Sequence, residues 1–209
     1  MLAFLALDGN AEVPRMRAAE ELWPDNSLQR ALANVRSAVC HGRRVADTTV
    51  IERDGTRLAL SDSVGVDFLE VQRRTRQVND GGWAHACDSD HERLIASLGS
   101  ELLPAWTDGW LVLKRQQWDQ VRLHTLETLA RDLRADERFL SAMRAALVAI
   151  GIAPMRETAH RVVIENHLAE GNPAEALAHF QRYRALLQRE LGVSPSSRIA
   201  RLVSGLFSC

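Results

Sequence analysis

Lysine is nearly absent from this chain of 209 residues: of its 26 basic residues, all but Lys114 are arginine. Any basic face it carries is therefore an arginine face. Cysteine is scarce as well, and the three present, Cys40, Cys87 and Cys209, form an odd, scattered set that argues against a disulfide framework and for reduced thiols. No apolar run approaches the roughly 18 residues of a membrane helix, so no membrane partner is expected. The opening MLAFLAL is apolar but lacks a basic start and runs into Asp8-Gly9-Asn10, which is not a signal-peptide pattern. The expected compartment is the cytoplasm.

Chemistry-bearing motifs are also missing. There is no Walker-type glycine loop, and no Ser/His/Asp, Cys/His or paired-carboxylate set sits in a recognisable pocket-forming motif. An enzyme is not expected, and neither catalytic residues nor cofactors are assigned. His85, Cys87 and His91 are close in sequence, but three ligands in one loop without a second cluster make a poor metal site. A net charge of −1 at pH 7 argues against a wholly basic nucleic-acid binder, so the local charge balance has to decide.

That balance is uneven between Ser27 and Leu60, where six arginines (Arg30, Arg36, Arg43, Arg44, Arg53 and Arg57) face three acids (Asp47, Glu52 and Asp54). The same stretch reads as one long helix followed by a tight hairpin. Leu28, Leu32, Val35, Val39 and Gly42 recur at steps of three and four, which places them on one stripe facing a core. The opposite stripe holds Arg30, Asn34, Ser37, His41 and Arg44, with Arg36 and Arg43 beside it, side chains that can donate to phosphates or base edges. Thr49 to Arg53 and Thr56 to Leu60 read as strands joined by an Asp54-Gly55 turn. Upstream, Arg15 to Leu22 forms a shorter amphipathic helix closed by Trp23-Pro24, and Asp25, Asn26 and Ser27 offer caps for the long one. Helix, turn, second helix and β wing is the winged helix-turn-helix order, with the second helix in the major groove and Arg53 or Arg57 of the wing toward the backbone or minor groove.

Leu2 to Leu7 predicts one short helix whose far side nothing upstream covers. After Asp62 and Gly65 the signals are helical to the end: Phe68–Val78, Glu92–Leu98, Trp110–Arg134, Glu137–Ile150, Arg156–Ala169, Pro173–Leu191 and Ser197–Phe207. Ala142-Met143 and Ala176-Leu177 lie 34 residues apart, as do Leu129-Ala130 and Val163-Ile164, which is the tetratricopeptide period. Trp106, Trp110 and Trp118 are read as core. The expected fold is mainly α: an incomplete winged helix-turn-helix with a β-hairpin wing over residues 1–64, then a tetratricopeptide-like all-helical domain over 65–209.

Several segments, in order, carry a family resemblance: LAFLALDGN, RAAEELWPD, ALANVRSAV with RRV, IERDGTRLAL, SELLPAW with DGW, APMRETAH, AEGNPAEAL and RELGVSPS. Together they resemble the SARP family, antibiotic-pathway regulators of actinomycetes in which an OmpR-type winged helix is fused to a bacterial transcriptional activator domain. The resemblance implies a transcriptional activator that binds direct repeats in double-stranded promoter DNA and contacts RNA polymerase; a homodimer is allowed for, not required. The family's winged helix opens with a small sheet before its first helix, whereas this sequence starts within that helix, so the N-terminal strands are expected to be lacking. Gly42 stands where the family usually has leucine, predicting a weaker helix and a hole in the core, and His41 where arginine is common. The alternative is a helical-repeat adaptor for a protein or small effector, with a non-functional winged-helix remnant.

Overall fold

The computed structural model describes residues 1–8, 12–42, 44–45, 48–83 and 87–205. Contacts divide the chain into two compact units, Met1–Arg73 with Leu103–Gln116 and Arg74–Leu102 with Gln117–Cys209. The first unit is therefore built from two separated pieces of chain. Among the described residues no helix is long and apolar enough to cross a membrane.

The first unit contains α1 (Leu2–Leu7), β1 (Val13–Pro14), α2 (Arg15–Leu22), α3 (Leu28–Gly42), β2 (Arg44–Val45), β3 (Thr48–Thr49), β4 (Ile51–Asp54) and β5 (Arg57–Leu60). The starts of α4 (Asp67–Asn79) and α6 (Gly109–Ala135) also belong to it. Its core gathers Phe4, Leu5, Val13, Ala18, Ala19, Ala31, Val35, Val39, Ile51, Leu58 and Leu60. Small alanines on the facing sides of α2 and α3 let the two helices pack closely. Strand β5 is central in a sheet of order β1-β5-β4, with Val13 opposite Leu58 and Ile51 opposite Leu60. Alternation along β5 buries Leu58 and Leu60 and turns Arg57 to the other face.

Three expectations need correcting here, and the hairpin gains a third strand. The far side of α1 is covered after all: Trp110 meets Phe4 edge-on, with ring centroids 5.3 Å apart and planes at 83°, and Phe4 is buried. The hairpin's β5 edge is not free, because β1 pairs with it and Arg15 N donates to Thr56 O at 2.9 Å. β1 escapes sequence reading because it is two residues long and includes Pro14, which lacks a backbone donor and is tolerated only at an edge. The turn lies one residue later than expected, with Asp54 paired to Arg57 around Gly55-Thr56 and Gly55 in the left-handed region at φ 53. Thr49 belongs to a separate two-stranded ribbon with β2, not to the wing strand.

The second unit takes the ends of α4 and α6, then α5 (Asp88–Gly99), α7 (Phe139–Ile152), α8 (Glu157–Ala169), α9 (Pro173–Leu191) and α10 (Ser197–Ser204). Helix α7 packs on α5 and α8, α8 on α9, and α10 on both α8 and α9. Ala142, Ala145, Ala146 and Ala149 line the buried side of α7, which allows close approach of its neighbours. The residues spaced 34 apart occupy matching buried positions: Ala142 and Ala176, Ala130 and Ile164, and Leu129 and Val163 are all within 2% of full burial. Pro173 in the first turn of α9 and Gly192 at φ 68 after its end bound that helix as its sequence predicts. Helix α10 ends its described span at Ser204, and expectations about Phe207 and Cys209 lie outside the described residues.

Two charged side chains buried in this unit each have several partners. Glu127 accepts from Arg156 Nε at 2.6 Å and Nη2 at 3.2 Å and from the Thr158 hydroxyl. Arg122, only 7% exposed, donates to the carbonyls of Leu98 at 3.2 Å and Ser100 at 3.1 Å and pairs with Asp119. Trp118 is buried here, as expected of a core residue, whereas Trp106 is 42% exposed and is not core.

Candidate nucleic-acid interface

Helix α3 begins after a short turn in which Asn26 N donates to Trp23 O at 3.1 Å, and its first helical bond runs from Ala31 N to Ser27 O at 2.9 Å. Trp23 ends α2 in a non-helical conformation, as the proline after it demands. The buried face of α3 is Ala31, Val35 and Val39. Leu28 was expected on that face but is 47% exposed, because the first turn extends past the core. Gly42 is helical, and a Cβ there would meet Ile51 Cδ1 at an ordinary 3.5 Å. Ile51 lines that position and leaves room for a methyl group there.

The outward face of α3 carries Arg30, Arg36, Ser37 and His41, all exposed, with Asn34 half-buried at its border. No acid interrupts the helix from Leu28 to Gly42. Arg30 and Arg36 have no ion pair among the described residues, so both are free to meet a phosphate. His41 Nδ1 donates to the Ser37 carbonyl at 2.7 Å, and Ser37 Oγ lies 3.5 Å from the same ring nitrogen. A carbonyl only accepts, so Nδ1 holds the proton and Nε2 of the neutral ring remains an outward acceptor, suited to the exocyclic amino group of adenine or cytosine. Sequence reasoning overlooked Gln29 and Cys40, exposed on the same face at helical steps from Arg36; the step-of-seven and step-of-four spacing was the available signal.

Two of the expected residues are not in the helix. Arg44 falls in β2, past the end of α3 at Gly42, so it cannot share the stripe; its side chain, like all of Arg43, lies outside the described residues. On the wing, Arg53 sits opposite Leu58 and Arg57 opposite Asp54, so the two arginines point to opposite faces of the hairpin. Both are exposed. Arg57 Nη1 lies 3.7 Å from the Glu12 carboxylate and 3.5 Å from the Glu12 carbonyl, whereas Arg53 has no ion pair among the described residues. Arg53 is thus the better-placed wing cation.

A small polar anchor holds this unit together. The Asp8 carboxylate at the end of α1 accepts from Arg17 at 2.7 and 3.0 Å and from Lys114 at 3.1 Å. Burial pushes the Asp8 carboxyl up, but the hydrogen bonds and charges of Arg17 and Lys114 outweigh it and hold it below the usual carboxylate range. The one lysine of the chain is thereby committed to structure.

Comparison with known proteins gives a consistent result. The family described as bacterial transcriptional activator domain matches residues 66–206. Regulatory protein AfsR of Streptomyces griseus is 26% identical over 191 residues, covering 88% of this chain and 19% of that protein. Regulatory protein AfsR of Streptomyces coelicolor is 27% identical over 211 residues, covering 97% of this chain and 21% of that protein. The chain spans about a fifth of the length of these two relatives.

Proposed function

From the premise that this chain belongs to the bacterial transcriptional activator domain family and is a transcriptional regulator of the SARP kind, we propose that it is a pathway-specific activator that reads double-stranded promoter DNA. In this reading α3 enters the major groove and the β4–β5 wing follows the adjacent backbone or minor groove. Residues 1–64 do the DNA reading, and residues 65–209 serve as the activating domain that contacts RNA polymerase. Binding to direct repeats in the cytoplasm, with or without a homodimer, belongs to the same proposal.

The observation that carries it is the acid-free outer face of α3, where Arg30 and Arg36 stand unpaired among the described residues beside Ser37 and His41. Roles follow from reach and chemistry. Asn34, Ser37 and His41 approach base edges, while Arg30, Arg36, Arg43, Arg44 and Arg53 hold phosphates; Arg57, shared with Glu12, contributes less. An adaptor with a winged-helix remnant would bind no duplex.

The two classes of residue separate in one binding assay. Arg36→Ala should weaken binding to every duplex alike, whereas Asn34→Ala should cost about 1–3 kcal/mol at a single base position and leave other positions unchanged. A loss from Asn34→Ala that is uniform across duplex sequences would contradict the assignment of Asn34 to a base.

A further inference from the structure

We propose that Gln29, in the first turn of α3, is a base-reading residue that selects an A·T pair in the major groove. The inference rests on the DNA reading proposed above and goes past it by naming a base and the atoms that recognise it. Gln29 Oε1 accepts from the adenine N6 amino group and Gln29 Nε2–H donates to adenine N7, the two-point match that a side-chain amide makes with this base.

Three observations single it out. The first turn of α3 stands clear of the core: Leu28, Gln29 and Arg30 are all exposed, Leu28 by 47% although it is apolar. The N-terminal residues of the second helix are the ones a helix-turn-helix presents to base edges. The second observation is the order of side chains around the helix. At about 100° per residue, Gln29, Ala33, Ser37 and Cys40 fall on one uncharged strip, with Arg36 along one edge of it and Arg30 and His41 along the other. In a groove walled by phosphates, the charged edges meet the backbone and the strip meets the bases. Of the strip, Gln29 alone has the reach and the paired donor and acceptor to read a base edge by itself. The third is the freedom of its amide. Gln29 makes no side-chain hydrogen bond among the described residues, whereas His41 is tied to the Ser37 carbonyl and Asn34 is half-buried at the border of the face. Long side chains on a helix lean back toward its N-terminus, so a large residue at position 33 would lie over Gln29, and Ala33 leaves the amide open.

The test is duplex binding by the full chain at low salt. A pool of duplexes with a randomised centre is selected on the parent, and the preferred duplex is remade with 7-deazaadenine, which lacks the N7 acceptor, at each adenine in turn. At one position the parent should lose about tenfold or more when A·T is replaced by G·C, and a part of that when N7 alone is removed. Gln29→Ala should bind the preferred duplex about tenfold more weakly, should no longer distinguish adenine from 7-deazaadenine at that position, and should keep the parent's choice at all others. Gln29→Arg should move the choice at that position to G·C, since a guanidinium fork matches guanine O6 and N7. Both variants should melt with the parent, because the exposed amide holds no hydrogen bond to the described residues. A Gln29→Ala variant whose affinity and base choices equal the parent's overturns this inference and leaves the DNA reading standing; a folded parent that binds no duplex overturns both.

Discussion

In the helical unit, several arginines are structural: Arg122 is buried on two carbonyls, Arg156 clamps Glu127, and Arg134 and Arg161 share Glu165. In the winged unit, the same residue type on α3 and the wing is exposed, and Arg30, Arg36 and Arg53 have no carboxylate within reach among the described residues. A guanidinium fork does one of two jobs, and what decides is whether the fold supplies an acid or carbonyl beside it. Sequence alone, with basic residues nearly all arginine, does not distinguish the two sets.

The largest expected effect tests whether the winged unit really draws on a distant piece of chain. Trp110→Ala uncovers Phe4 and should cost about 3 kcal/mol. Amide hydrogen exchange should show α1 and α3 losing protection while α8 and α9 keep theirs. A loss spread evenly over all helices would break the distinction between the units.

Acid separates them next. His160, stacked on Tyr183 at 4.0 Å, donates Nε2–H to the Pro154 carbonyl at 2.7 Å and lies 3.0 Å from His179 Nε2. Burial lowers the pKa of His160 against the pull of the Pro154 carbonyl, and burial followed by the charges of His160, Arg182 and His167 lowers that of His179 to about 4. Both rings are thus held neutral in the fold, and the unfolded chain takes up protons first. Their contribution is complete above pH ~6.5 and is lost as pH falls from there toward the lowered folded values. Asp8 has the same sign at lower pH: its depressed pKa contributes stability that is present above pH ~3.9 and disappears as pH falls through the lower folded value. Between pH 6.5 and 4, circular dichroism melts should therefore weaken for the parent and much less for a His160→Gln, His179→Gln variant.

The smallest effect concerns Gly42. With negative φ, a helical position and ordinary room for a Cβ, Gly42→Ala should raise stability by up to about 1 kcal/mol in urea unfolding. A destabilised variant would mean that the end of α3 needs a glycine for another reason.

Local signals were the ones that could be read in advance. The Asn172-Pro173 start and Gly192 stop of α9, the step-of-three-and-four faces and the strand pair around Gly55 depend on neighbours in sequence, and these features stand near where their residues put them, with the hairpin turn one residue later and Thr49 outside the strand. What could not be read depends on partners far away. β1 is a strand only because Leu58 lies opposite Val13, and α1 is covered only because Trp110 comes back to it. The exposed Leu28 and the displaced Arg44 show the limit of periodicity itself, which marks a stripe but not where the core or the helix stops. For the candidate interface, residue types and faces were legible; the pull of Glu12 on Arg57 was not, because it joins residues 45 apart in sequence.

The central claim is that the unpaired arginines of α3 and the wing meet DNA phosphates. The direct measurement is the salt dependence of duplex binding for the parent and for an Arg30→Ala, Arg36→Ala, Arg53→Ala variant, with thermal melts of both. The account predicts that log K falls with log salt for the parent, that the slope flattens by about three units in the variant, and that the melts coincide. An unchanged slope in a folded variant would contradict it.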